Sequence, residues 1–144
     1  MIRPLVESDR AEYLRSARVS AEALTVFMPL HRGEETDDQM FDRQIRAMAV
    51  EGAAGRCYRC VGLLTDGRIA GGFNLNAISR GLGGRADITW WIASDLTGKG
   101  LASEGVDAML RFALDDFPDG LGLHTVSAWI TEDNAASMRV AEKV

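Results

Sequence analysis

Apolar positions along the chain recur at intervals near two and near 3.6 residues, and each change of interval marks an element. Met1 to Leu5 fits a short opening strand. Ser8 stands as an N-cap before a helix running through Tyr13 and Leu14 to about Val19. Met28 to Glu35, with Pro29 and Gly33, reads as a loop. Thr36-Asp37-Asp38-Gln39 has the form of a capping box. Behind it Met40, Phe41, Ile45, Met48 and Ala49 hold helical spacing to about Glu51, and Gly52 to Gly55 ends the helix.

Strand character returns at Cys57 to Leu64. Asp66-Gly67 then separates two apolar runs, a hairpin signal because both residue types tolerate positive φ. The partner strand runs from Ile69 to about Asn76, and a loop with Gly81, Gly83 and Gly84 leads to a strand from Ala86 to Ala93. Gly98-Lys99-Gly100 opens a helix with Leu101, Ala102, Val106, Met109, Leu110, Ala113 and Leu114 on one face, which Pro118, Gly120 and Gly122 break. His124 to Ile130 reads as a further strand and Asn134 to Val144 as a last helix. The order is β-α-α-β-β-β-α-β-α. Its hairpin requires antiparallel pairing, and the strand–helix–strand from Ala86 to Ile130 requires one parallel, right-handed crossover. The expected fold class is therefore α/β (α+β): a mixed, mostly antiparallel sheet with helices on its faces. No repeat, low-complexity tract or linker divides residues 1–144. The pattern stops in mid-helix at Val144, so the expectation is one domain that lacks its C-terminal part.

Composition narrows the chemistry. The chain is 47% hydrophobic and 26% charged, like an ordinary globular protein. No apolar run reaches the roughly 18 residues of a membrane span, and the N-terminus lacks the apolar core of a secretory signal, so the expected setting is the cytoplasm, with no membrane partner. A net charge of −5 argues against a general nucleic-acid binder, although a local basic site is compatible with it. Acidity gathered in a cleft would favour cationic acceptors. Cys57 and Cys60 form one C-x-x-C on a strand. His31 and His124 are isolated, so no metal set is complete, and packing explains the pair better than redox chemistry.

The segment that carries chemistry is Asp95-Leu96-Thr97-Gly98-Lys99-Gly100-Leu101-Ala102-Ser103-Glu104. Its glycines let the backbone turn tightly and approach a ligand, and the following helix aims free N–H groups at it, which suits a pyrophosphate. A Walker A loop fails at Ala93 and Gly100, and a dinucleotide fingerprint fails at Ser103. The loop R/Q-x-x-G-x-G/A fits at Gly100 and Ala102. Alone it could be a turn that merely joins strand and helix.

Two further segments agree with it. Asn134-Ala135-Ala136-Ser137-Met138-Arg139-Val140-Ala141-Glu142-Lys143-Val144 resembles the N-x-x-S-x-x-V-A-E-K-x-G-F signature of GNAT acetyltransferases, and Ala86-Asp87-Ile88-Thr89-Trp90-Trp91-Ile92 is similar to their A-E-I-G-Y-W-I strand. The chain thus resembles the GNAT superfamily over nearly its whole length, most of all the ribosomal-protein N-terminal acetyltransferases of RimJ/RimL type. Thr97 departs from the usual Gln or Arg, Thr89 and Trp90 replace Gly and Tyr, and the Gly-Phe and strands expected after Val144 are absent.

The resemblance implies a splayed strand pair, Ala86–Ala93 and His124–Ile130, that admits the pantetheine arm of acetyl-CoA as a pseudo-strand. It implies main-chain contacts near Trp91, Ile92 and Ala93, and phosphate contacts from Gly98, Lys99, Gly100, Leu101, Ala102 and Ser103. Asn134 caps its helix and is also a candidate for pantetheine. A primary amine would attack the thioester, with Ser137 facing the departing sulfur and Asp87 accepting a proton directly or through water. Each role competes with a plainer one: local capping for Ser137, a solvated carboxylate for Asp87, a solvent-facing Lys99. Trp90, Trp91 and Trp129 read as core. The implied acceptor is a peptide N-terminus or a small amine of aminoglycoside or polyamine type, no metal takes part, and a homodimer is an open assembly state. A non-catalytic acyl-CoA-binding module is the alternative from another class.

Overall fold

The computed structural model describes residues 1–144. The strands are β1 (Ile2–Pro4), β2 (Tyr58–Leu63), β3 (Ile69–Ser79), β4 (Arg85–Ile92) and β5 (Thr125–Ser127). The helices are α1 (Arg10–Val19), α2 (Ala21–Phe27), α3 (Asp37–Ala47), α4 (Leu101–Leu114) and α5 (Ala135–Lys143). One five-stranded sheet runs in the order β1-β2-β3-β4-β5. Its first three pairings are antiparallel and β4–β5 is parallel. The expected fold class, a mixed and mostly antiparallel sheet, is the one observed.

Alternation along the strands separates two cores. Val61, Ile69 and Trp91 pack beneath α1, α2 and α3 with Tyr13, Leu24 and Phe41. Phe73, Leu75, Ala86 and Ile88 pack on the other face against Val106, Met109 and Ala113 of α4. α4 lies close because Gly105 stands over Phe73: a Cβ there would sit 2.2 Å from the ring.

Several local expectations change. Ser8 does not cap α1. Glu7–Asp9 forms a 3-10 turn, and the nearby capping carboxylate is Asp9, which accepts from Val6 N at 2.9 Å and takes both arms of Arg3 at 2.7 and 2.6 Å. The Thr36 capping box forms as expected, with Gln39 N donating to Thr36 Oγ1 at 3.3 Å and Thr36 N to Gln39 Oε1 at 2.9 Å. The helix behind it is α-helical only to Ala47, and Met48–Gly52 continues as a wider π turn. α2 has no counterpart in the sequence reading: it is seven residues long and buries only Leu24. At the hairpin, Gly67 alone takes positive φ (85°), within a loop from Leu64 to Arg68 and beside a register shift at Gly62/Leu63. The strand expected over His124–Ile130 shrinks to Thr125–Ser127. Cys57 and Cys60 are buried free thiols. Burial raises both pKa values, Cys60 to about 11, which holds the pair protonated and suits packing. No helix is long and apolar enough to cross a membrane.

Candidate active site

The early end of β5 makes the site. β5 pairs with β4 only at Arg85↔Thr125, Ala86↔Val126 and Asp87↔Ser127. Beyond Asp87, β4 continues to Ile92 with no strand on that side. The direction of its free groups follows from the ladder. Ala93 N donates to Ala70 O at 2.8 Å, on the β3 side. Main-chain groups alternate along a strand, so Trp91 also faces β3, whereas Trp90 and Ile92 turn their N–H and C=O groups into the gap. Of the three residues expected to offer backbone there, only Ile92 does so. Ala93 is fully engaged, since its carbonyl accepts from Leu96 N at 2.8 Å. Trp90, read from sequence as core, supplies the second position.

The gap opens onto the N-terminus of α4. Gly98 and Gly100 take φ of 75° and 80° with open space where a side chain would project. No main-chain N–H from Thr97 through Ser103 has an acceptor within the chain, and the first helical bond is Glu104 N to Gly100 O at 3.1 Å. Such a run of unpaired donors at the positive end of a helix is a site for anionic oxygen. Thr97 does not replace the missing Gln or Arg, because its hydroxyl donates back to Ser94 O at 3.1 Å. Cationic side chains come instead from Arg139 and Lys143 of α5, which line the same cavity. They make a local positive site on an acidic protein.

That cavity has a volume of about 610 Å³, large enough for a cofactor-sized ligand. It brings together Trp91, Ile92, Gly98, Gly100, Leu101, Ala102, Ser103, Asn134 and Ser137. Asp87, Ala93 and Lys99 are not among its lining residues. Asp87 is half-buried on β4, opposite Asn76 and Ser127, one alternate position before Thr89. Thr89 does line the cavity, and its hydroxyl oxygen receives the amides of Asn74 at 3.4 Å and Asn76 at 3.3 Å. Lys99 points to solvent from the loop tip.

Asn134 caps α5 by accepting from Ser137 N at 3.1 Å. The Ser137 hydroxyl is therefore not needed as a cap. It makes no hydrogen bond within the chain and faces the cavity.

The sequence reading missed the opposite wall, which is Ala23, Leu24, Phe27 and Met28 of α2 and its C-cap, and also Trp129 to Thr131 after β5. Trp129 is 88% exposed at the cavity rim, not core as expected. Signals for α2 were weak, because a short helix with one buried residue has almost no periodicity to read. An unpaired strand end cannot be told from a paired one by residue type.

A sheet split at one strand pair and a donor-rich helix start facing that split define a mixed α/β fold whose cleft suits an anionic, strand-like ligand. The chain belongs to the acetyltransferase (GNAT) domain family, whose sequence profile matches residues 1–144. Among solved structures it is similar to Mycobacterium smegmatis RimJ in complex with a coenzyme A disulfide, with TM-score 0.86 and 22% identity over 98% of this chain and 66% of that one. It is also similar to the ribosomal L7/L12 alpha-N-protein acetyltransferase RimL in complex with coenzyme A, at TM-score 0.84 and 17% identity over 99% and 76%. A third is the Vibrio cholerae spermidine N-acetyltransferase in complex with coenzyme A and spermine, at TM-score 0.78 and 16% identity over 99% and 78%. The chain thus spans 66 to 78% of the length of these structures. A search of curated proteins finds no match.

Proposed function

We propose that the chain transfers an acetyl group from acetyl-CoA to a primary amine, and that the cavity between β4 and α5 is where it does so. The observation that carries this reading is the meeting of two sets of unpaired donors: Trp90 and Ile92 in the sheet gap, and Thr97 to Ser103 at the start of α4. A coenzyme A arm is an amide-bearing chain ending in a pyrophosphate, so it matches both sets along one path. Its amides would add to β4 as an extra strand, with the pyrophosphate against α4 and the cations of α5. The solved relatives named above hold coenzyme A.

The reaction follows from this placement. The amine attacks the thioester carbon, and a main-chain N–H of Trp90 or Ile92 stabilises the charge developing on the carbonyl oxygen. The C–S bond breaks, and Ser137 hands a proton to the leaving sulfur while its hydroxyl takes one back from cavity water. Because Asp87 stands back from the cavity, it takes the amine's proton through water near Thr89. The relatives include both protein and spermidine acetyltransferases, which leaves the acceptor to experiment.

The test is thiol release from acetyl-CoA with separate panels of N-terminal peptides, amino sugars and polyamines. Acceptor-dependent release in any panel supports the transferase. Tight coenzyme binding with no release in all three makes the chain a binding module instead.

A further inference from the structure

Two buried donors in the protein have no acceptor, Arg59 Nε and Trp91 Nε1. They lie on one face of the sheet. Trp91 is registered with Gly72 and Gly72 with Val61, one alternate position from Arg59. The indole lies across Gly72, where a Cβ would sit 2.4 Å from Nε1, so the nitrogen reaches away from β4 toward β2. Tyr13 packs edge-on against the indole at 5.6 Å between ring centroids. Its hydroxyl is a neighbour of the indole nitrogen but does not accept from it in hydrogen-bond geometry.

Arg59 takes part in no ion pair, and burial pulls its pKa below the ordinary arginine value. No carboxylate pairs with it, and of the two cations that act on it, Arg43 and Arg32, Arg43 is neutralised by Glu35 at 2.8 Å. Charges held in a protein interior are ordinarily paired, and buried donors ordinarily bonded. Here the guanidinium is only partly buried, but its Nε has no acceptor, nor has the indole nitrogen of Trp91, a residue that is only 5% exposed. Trp91 and Thr89 of the same sheet face line the cavity. Asn74 is registered with Arg59 and donates to Thr89, a lining residue, so a polar strip crosses β2, β3 and β4.

We propose that Arg59 and Trp91 form the part of the acceptor site that reads a carboxylate, so that the preferred acceptor is an acidic N-terminal peptide. This rests on the acetyltransferase reading for the position of the amine, near Thr89. Two strand spacings separate Thr89 from Arg59, about 10 Å. An extended peptide advances about 3.4 Å per residue, so an acidic side chain at the second or third residue spans the distance. A polyamine would bring a cation to an unneutralised guanidinium and is disfavoured.

The experiment titrates the ¹⁵N-labelled chain, with and without coenzyme A, using a peptide with Asp at positions two and three and its Asn twin. Affinity and the Trp91 indole N–H resonance are read together. The Asp peptide should bind at least tenfold more tightly and shift the indole signal. Arg59→Gln should abolish the preference, and Arg59→Lys should retain part of it. Twins that bind within twofold of each other in the unmodified chain overturn the proposal and leave the space to a buried water, a comparison that needs no variant to fold. A preference that survives intact in Arg59→Gln overturns it equally. An Asp preference without thiol release in any panel supports the anion site while removing the transferase reading, so the two failures are distinguishable.

Discussion

Ser137 shows how one neighbour decides what a side chain is free to do. A serine in the first turn of a helix is commonly a cap, but Asn134 already accepts the Ser137 N–H, and the Ser137 hydroxyl is left to the cavity. If that hydroxyl protonates the leaving sulfur, its contribution grows only as the C–S bond breaks, and its loss appears in kcat instead of coenzyme affinity. Ser137→Ala should lower kcat at least tenfold, within the roughly 10²- to 10⁴-fold range of a positioned proton donor, with the acetyl-CoA Kd unchanged within twofold. Steady-state kinetics beside isothermal titration check both numbers. Turnover kept within twofold would pass the donor role to water. The fold should hold in either case, because the cap belongs to Asn134.

At the scale of elements, the site depends on where regular structure stops. Gly100 takes φ of 80° as the N-cap of α4, and this left-handed turn sets the direction in which the N–H groups of Leu101, Ala102 and Ser103 point. No atom lies within 4 Å of where its Cβ would be, so a side chain there meets no protein atom. Gly100→Val would suffer only backbone strain on its own, about 1–3 kcal/mol, yet it would place branched carbons over the donors that await a pyrophosphate. Coenzyme affinity should fall at least tenfold while the far-UV circular dichroism spectrum is retained and the melting temperature drops by only a few degrees. Affinity preserved within twofold would make the loop a plain connector. β5 acts in the complementary way, by ending at Ser127 and leaving Trp90 and Ile92 without partners.

Across the whole molecule, charge is arranged in local pairs whose loss with pH can be followed. The Arg43 guanidinium, hydrogen-bonded to Glu35, holds that carboxyl at about 2 instead of the ordinary 4.5, and Arg3 holds Asp9 below its usual range. Both groups bind protons less readily when folded. Their contribution is therefore complete above the unfolded-state pKa and is lost as pH falls through the folded value. The melting temperature should stay nearly level from pH 7 to about 5 and then decline steadily between about pH 4.5 and 2. Glu35→Gln should flatten part of that decline, as thermal melts across the pH series would show. A decline unchanged in Glu35→Gln assigns the acid sensitivity to other carboxylates.

The sequence by itself determined the elements whose causes are local. Alternation along Cys57–Asn76 and the Asp66-Gly67 turn gave the central hairpin, Thr36 and Gln39 gave the start of α3, and paired glycines before an apolar helical stripe gave the turn into α4. Most of the candidate cavity was legible for the same reason, since its donor turn is a contiguous run of residues and Asn134 and Ser137 lie one turn apart. What tertiary structure decided is whatever depends on two distant segments at once. Only the register shows that Ala93 is bound to Ala70 while Ile92 is free, because neighbouring strand residues differ in direction and not in composition. Only packing brings α2 over the gap, exposes Trp129 and sets Asp87 back from the cavity. Arg59 looked like any strand arginine until Trp91, held across Gly72 from two strands away, placed a second orphan donor on the same face. A missing partner is a property of three-dimensional neighbours, and no spacing along a chain encodes it.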